Sequence, residues 1–343
     1  MKKAILLISA IALMSTQAMA QFVIERTGGE PQQVEGNVTF SRDAASGDFA
    51  VGDTYQAENS ISGISAIYRA PRVVPPKVGD YYYSDGTWSD GGLVSIDADG
   101  LNPVWAEEKP APVEGKTVIG IVFQTDPSRM AQTDIDAGYT HGYVMAVKFA
   151  HGPDKMSSFY TTDYPFSLLD AAKLAETWYA NVNGRAETQT VLDEYAGNLE
   201  LVPAFDWMVN DFLPAPATSS GWFMPSTGQL WDMMANLCGG EVAEYMKEWQ
   251  TYGYDATWYC SENVSYDVID CINSTMQLIP DSDKELFAPV SPGYGTPTYM
   301  GVMASTPYDS ESVNIINIGT DGLIECMCNW FDGDDYCRPI LAF

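Results

Sequence analysis

Basic side chains are scarce in this sequence, and histidine is nearly absent. Across 343 residues, 17 lysines and arginines stand against 46 aspartates and glutamates, giving a formal net charge of −29 at pH 7. A chain this acidic repels phosphate backbones and anionic lipid, so we expect no nucleic-acid partner. His141 and His151 are the only imidazoles, which excludes chemistry that needs several of them.

Long apolar runs and the common catalytic motifs are also missing. No segment reaches the run of about 18 apolar residues that indicates a membrane-spanning helix, so direct membrane insertion is not expected. The sequence has no G-x-S-x-G, no H-E-x-x-H, no phosphate-binding loop and no G-x-G-x-x-G after a strand. We therefore expect a protein that is not an enzyme.

Residues 1–20 have the pattern of a secretory signal peptide. Lys2 and Lys3 precede an apolar stretch over residues 4–14, and Ala18-Met19-Ala20 supplies the small residues that precede cleavage. The pattern predicts export to the periplasm, the cell surface or the extracellular space.

Cysteine is absent from the first 237 residues and clustered in the last third of the chain. In an oxidising compartment an even, clustered set predicts disulfides, although six cysteines allow fifteen pairings. Buried thiols are the alternative, and the spacing lacks the C-x-x-C of zinc sites. The disulfide candidates are Cys238, Cys260, Cys271, Cys326, Cys328 and Cys337.

The composition changes near residue 77. Residues 21–76 are rich in Gly, Ser, Thr, Gln and Asp and end in a proline-rich run over 71–76, which predicts a β-rich or extended leader and a linker. Residues 77–343 are expected to form one domain.

Within 77–343 the predicted strands and helices come in separate blocks. Strands are predicted at 80–89, 117–123, 142–150 and along the C-terminal tail, with helices at 166–184, 188–195, 227–238 and 241–250 and an irregular region over 251–297. Such segregation indicates the α+β class. The best-defined helix start has Ser226 and Gln229 at the spacing of a capping box.

The motif GWFMPSTGQLWDM (221–233), the strand GYVMAVKFA (142–150) and the terminal CRPILAF (337–343) together resemble a family. They are similar to secreted Bacteroidetes proteins that carry a C-terminal C-type-lectin-like domain of the FISUMP, fimbrillin-associated type. This resemblance covers about residues 77–343.

The resemblance implies a double-loop fold in which the first and last strands pair and two helices flank a small antiparallel sheet. It also implies a surface, adhesion or pilus-associated binding module whose long loops recognise a glycan or a surface protein. Fold alone does not fix function.

Aromatic and polar residues in the irregular region are the predicted ligand-binding surface. Aromatic rings stack on sugars and stabilise interfaces, although they can equally form a small hydrophobic core within a long loop. The candidates are Trp249, Tyr254, Trp258, Tyr259, Glu262, Asn263 and Tyr294.

An acidic turn near the C terminus is the candidate calcium site. Asp332, Asp334 and Asp335 supply carboxylates of the kind that calcium prefers. A solvated turn at Asp332-Gly333 is the alternative interpretation. No other cofactor is expected.

Two further functions remain open at this point. The chain can be a structural subunit of a surface appendage, with residues 21–76 contacting pilus subunits by strand addition. Less favoured is an enzyme similar to formylglycine-generating enzymes, which the resemblance suggests through Cys326 and Cys328.

Overall fold

The structure is a computed structural model of the whole chain. It describes residues 21–26, 32–35, 40–42, 49–51, 60–61, 64–69, 74–96, 103–152, 156–161, 176–253, 258–260, 264–288, 299–309, 311–319, 324–330 and 332–343. The chain divides into two compact units, Met1–Val74 and Pro75–Phe343.

The N-terminal unit contains six short strands in its described residues. They are β1 (Gln21–Arg26), β2 (Gln32–Glu35), β3 (Phe40–Arg42), β4 (Phe49–Val51), β5 (Ser60–Ile61) and β6 (Ile64–Arg69). They form two antiparallel sheets of three strands, ordered β2-β1-β6 and β3-β4-β5. Strand β6 is therefore an edge of its sheet as described.

The C-terminal unit contains thirteen strands in its described residues. They are β7 (Tyr81–Tyr83), β8 (Trp88–Ser89), β9 (Leu93–Ser95), β10 (Val104–Trp105), β11 (Val118–Gln124), β12 (Tyr143–Ala146), β13 (Ser157–Ser158), β14 (Trp258–Cys260), β15 (Tyr299–Pro307), β16 (Ser312–Gly319), β17 (Ile324–Trp330), β18 (Asp334–Asp335) and β19 (Ile340–Ala342). Two sheets dominate, ordered β19-β12-β11-β7-β8 and β14-β17-β16-β15.

The α-helices of this unit lie mainly between the two blocks of strands. Among the described residues they are α1 (Gln132–Asp136), α2 (Gly184–Glu194), α3 (Pro203–Asp206), α4 (Thr227–Cys238), α5 (Gly240–Glu248) and α6 (Val264–Thr275). A π-helical turn, Trp207–Asp211, continues α3. No helix in the described part of the chain has both the length and the apolar character needed to cross a bilayer.

Strand β11 is the centre of the five-stranded sheet. All seven of its residues are buried, as the continuous apolar run predicts for a strand covered on both faces. Its neighbours β7 and β12 are also fully buried. The predicted hairpin of β7 and β8, with its turn at Asp85-Gly86, is confirmed.

Helix α4 covers the space between the two sheets. It begins at the predicted capping box, in which the backbone N–H of Ser226 donates to Oε1 of Gln229 at 3.0 Å. Leu230, Met233 and Leu237 are buried in the main core, and the helix packs against β11 and β15. A helix buried over nearly its whole length agrees with its apolar sequence.

The last strand closes the five-stranded sheet. Strand β19 pairs with β12, and Phe223 exchanges two backbone hydrogen bonds with Ile340 on the other side. The implied pairing of first and last strands is wrong, because β12 and β11 separate β19 from β7. The α+β class is confirmed, and the other features of a C-type-lectin-like domain stay a prediction.

The predicted irregular region contains helix α6, so the prediction of irregular structure is wrong for Val264–Thr275. Val268, Ile272 and Met276 recur every four residues and are buried, and the helix packs on α4 and α5. Of the predicted helix at 166–184, residues 166–175 lie outside the described part of the chain. The prediction is wrong for residues 176–183, which form bends, turns and irregular backbone before α2 begins at Gly184.

Candidate functional site

The predicted aromatic surface is described at only a few positions. Trp249 follows α5 half-buried, with its ring centroid 4.5 Å from that of Tyr252, and both rings pack against the main core. Trp258 and Tyr259 belong to β14, which pairs with β17. The candidates that lie outside the described residues are Tyr254, Glu262, Asn263 and Tyr294. The ligand-binding role of this set stays a prediction.

Two carboxylates of the acidic turn, those of Asp332 and Asp335, differ in exposure. Asp332 is exposed, whereas Asp335 is buried and accepts a hydrogen bond from Nδ2 of Asn329 at 2.7 Å. The backbone of Asp334 pairs with Ser158 in a short sheet. Among the described residues, no group of three or more His, Cys, Asp or Glu side chains is placed to hold a metal ion. Calcium binding stays a prediction.

The cysteines occupy several different elements. Cys238 is at the end of α4, Cys271 is in α6, and Cys260 is in β14. Cys326 and Cys328 lie on β17, and both Cys328 and Cys337 carry free thiols in this structure. The predicted disulfides are thus not formed at Cys328 and Cys337, and disulfides at the other candidate cysteines stay a prediction.

A cleft that the sequence did not predict opens beside the five-stranded sheet. Its volume is about 250 Å³. Its apolar lining is Phe149, Trp207, Phe212 and Leu213, and its charged or titratable lining is Lys148, His151, Asp211 and Glu285. We call this site the Trp207 cleft. A concave site with an apolar wall and a few polar groups has the usual character of a ligand site.

His151 and Glu285 form the polar end of the cleft. Nε2 of His151 lies 3.0 Å from Oε1 of Glu285, and Nδ1 faces the carbonyl oxygen of Gly152. Both ring nitrogens therefore face acceptors, and only a protonated imidazole can donate to both. The bond from His151 contributes to holding the pKa of Glu285 below its usual value, against the opposing effect of its burial.

The other oxygen of Glu285 is also engaged. Oε2 accepts the backbone N–H of Phe149 at 2.8 Å, and the backbone N–H of Glu285 donates to Val147 at 2.8 Å. The carboxylate thus has a fixed position with respect to the segment that follows β12. Such fixed polar groups orient a ligand without reorganising.

Trp207 and Asp211 line the cleft from the π-helical turn. Trp207 is the first residue of this turn and Asp211 is the last. Single π-helical turns occur frequently at functional sites. The indole packs against Gly152, where a Cβ atom would lie 2.9 Å from Cζ2 of Trp207. Only glycine allows this approach.

The cleft residues are far apart in sequence, which explains why they were not predicted. His151 is one of two histidines in the sequence, and no local motif surrounds Trp207 or Glu285. The one available signal was a histidine directly followed by glycine after a buried strand. No spacing rule connects that dipeptide with the turn at 207–211.

The comparisons with known proteins identify no family. No protein-family model matches this chain, and no curated protein matches it. A solved structure of a fimbrial protein from Bacteroides ovatus ATCC 8483 is similar to it, at 14% sequence identity and a TM-score of 0.48, over 97% of this chain and 67% of that chain. At this score and identity, the likeness carries no argument about function.

Proposed function

We propose that this chain is an exported, non-enzymatic subunit of a surface appendage that joins its neighbours by strand addition. In strand addition, an extended segment of one chain hydrogen-bonds to the open edge of a sheet in another. The proposal needs an exported chain and an open sheet edge. The predicted signal peptide supports the first requirement, and the N-terminal unit supports the second.

The observation that carries the proposal is the position of β6. This six-residue strand pairs with β1 through Ile67 opposite Ile24 and Ala66 opposite Glu25. It has no neighbour on its other side among the described strands. Its sequence, ISAIYR, is rich in residues that favour strands and contains no proline.

A long edge without proline is a template for another strand, and proteins that avoid association usually blunt such edges. The arginine at the end of β6 is the only charge among its six residues. The open edge therefore favours association of this unit with a further strand, and a second copy of the chain can supply that strand.

A pair of proline substitutions tests the proposal. Successive residues of a strand direct their N–H groups to opposite sides, so one of Ala66→Pro and Ile67→Pro removes a donor to β1 and the other removes a donor from the open edge. We expect the variant that loses the donor on the open edge to keep its circular dichroism spectrum and to lose assembly. Sedimentation velocity and electron microscopy of residues 21–343 measure the assembly.

The matched pair provides its own control, because both variants carry the same residue at neighbouring positions. A chain that stays monomeric at all concentrations would contradict the proposal. So would assemblies that persist in both variants while their spectra stay native.

The second candidate function is recognition of a glycan or a surface protein. The Trp207 cleft is the observation that favours it, because it is a concave site with an aromatic wall and fixed polar groups. The two functions do not exclude each other, since the cleft belongs to the C-terminal unit and β6 to the N-terminal one.

A further inference from the structure

We propose that the Trp207 cleft binds one neutral pyranose ring of a glycan. This inference rests on the second candidate function, recognition by the Trp207 cleft, and names its ligand class; it does not depend on the assembly by β6. It rests on the size of the cleft, on the balance of its charges and on the environment of the indole of Trp207.

The size of the cleft limits the ligand to a single ring. Its volume of about 250 Å³ is below the roughly 300 to 1,000 Å³ of sites for drug-sized molecules. One sugar ring or one side chain is therefore the scale of ligand that can be enclosed. The remainder of an oligosaccharide would extend into solvent.

The charges of the cleft favour a neutral ligand. Glu285 already accepts from His151 and from the backbone of Phe149, and Nζ of Lys148 donates to the carbonyl oxygen of Ser282 at 2.9 Å. An anionic ligand would meet the carboxylates of Asp211 and Glu285, and a cationic one would meet Lys148. Hydroxyl groups both donate and accept, so a neutral polyol satisfies this mixed lining.

Trp207 supplies the surface on which a sugar ring can stack. Its side chain is half-buried, and its ring packs against the backbone at Gly152. The negative face of an aromatic ring attracts positively polarised groups such as the C–H edges of a pyranose. Asp211, four residues along the same turn, is exposed and can accept hydrogen bonds from hydroxyls.

The test uses residues 21–343 and a panel of methyl pyranosides of glucose, galactose, mannose and N-acetylglucosamine. Saturation-transfer NMR and calorimetric titration measure binding. We expect millimolar binding of at least one sugar, weakened at least tenfold by Trp207→Ala. Trp207→Phe keeps a ring but removes the N–H, so a smaller loss is expected.

Two matched variants test whether the loss of binding is specific to the cleft. Trp330 is 61% exposed at the end of β17 and does not line the cleft, so Trp330→Ala should leave binding unchanged. Asp211→Asn keeps the shape of an exposed side chain and should weaken binding without changing the melting temperature. If Trp207→Ala is unstable, these two variants still test the cleft in a folded protein.

Three outcomes would overturn the proposal. The first is that no pyranoside of the panel binds. The second is binding that Trp207→Phe and Asp211→Asn both leave unchanged. The third is binding of Nα-acetyl-lysine methylamide, a probe for basic side chains, with the same dependence on Trp207 while the sugars do not bind. Loss of assembly in the β6 variants would not alter any of these readouts.

Discussion

The guanidinium carbon of Arg338 lies 3.5 Å from the centroid of the Phe149 ring. The centroid of the Phe287 ring is 4.5 Å from the same group, so the cation packs against two aromatic rings. Arg338 is fully buried and donates to the carbonyl oxygens of Ala146 and Glu285 at 3.1 and 2.8 Å. Burial lowers the pKa of Arg338 to about 9. The arginine thus connects the segment before β19 to the backbone behind the Trp207 cleft.

We expect Arg338→Met to destabilise the protein by about 3 kcal/mol or more. The substitution removes charged donors from two buried carbonyl groups, and such bonds are individually strong. Urea unfolding measures the loss. Lys116→Met is the control, because its ion pair with Asp85 is largely exposed and should cost less than about 1 kcal/mol. Equal losses in the two variants would contradict the role of Arg338.

Asp80 should make stability depend on pH. It accepts the backbone N–H groups of Lys77 and Gly91, yet burial raises its pKa from 3.8 to about 6. The folded state therefore holds this proton more tightly than the unfolded state. The stabilising contribution is complete below about pH 4 and is lost as the pH rises through about 6.

The measurement compares the wild type with Asp80→Asn in urea at a series of pH values. The unfolding free energy of the wild type relative to the variant should fall between about pH 4 and about pH 7. Asp85→Asn serves as the control. Hydrogen bonds from Thr87 and Lys116 lower the pKa of Asp85 to about 2, which is below the pH range of the measurement. A difference for Asp80→Asn that stays flat across this range would refute the prediction.

Gly228→Ala should destabilise helix α4 at its first turn. A Cβ atom at Gly228 would lie 2.4 Å from the carbonyl oxygens of both Tyr179 and Asn181, and backbone atoms cannot swing aside. We expect a loss of roughly 1 to 3 kcal/mol, the usual cost of overpacking. Gly197→Ala has nothing within 4 Å and should change stability by less than about 0.5 kcal/mol. Thermal melting of both variants measures the two changes in stability.

Cys337 should be unreactive in the folded protein. It is fully buried, and burial raises the pKa of its thiol to about 12, whereas alkylating reagents require the thiolate. At pH 8, iodoacetamide should leave Cys337 unmodified in native protein and modify it in urea without reductant. Peptide mapping measures the modification of each cysteine separately. Protection in urea that ends only when reductant is added would show a disulfide, as the sequence predicts.

Helix α6 shows why part of the fold was missed. Its sequence, VSYDVIDCINST, is rich in β-branched residues and in Ser, Asp and Asn, which are all weak helix formers. Burial of Val268 and Ile272 against α4 and α5 outweighs that local preference. The apolar spacing was present in the sequence, but the helices against which these residues pack lie outside the segment itself.

Local sequence by itself determined the elements whose causes are local. The capping box at Ser226 and Gln229, the turn at Asp85-Gly86 and the continuous apolar run of β11 each predicted their own structure, because the interactions that define them span a few residues. Tertiary structure alone decided the partner of β19, the formation of α6 and the meeting of His151, Trp207 and Glu285. These depend on packing between segments far apart in the chain, and no local pattern encodes which distant surface a segment will contact.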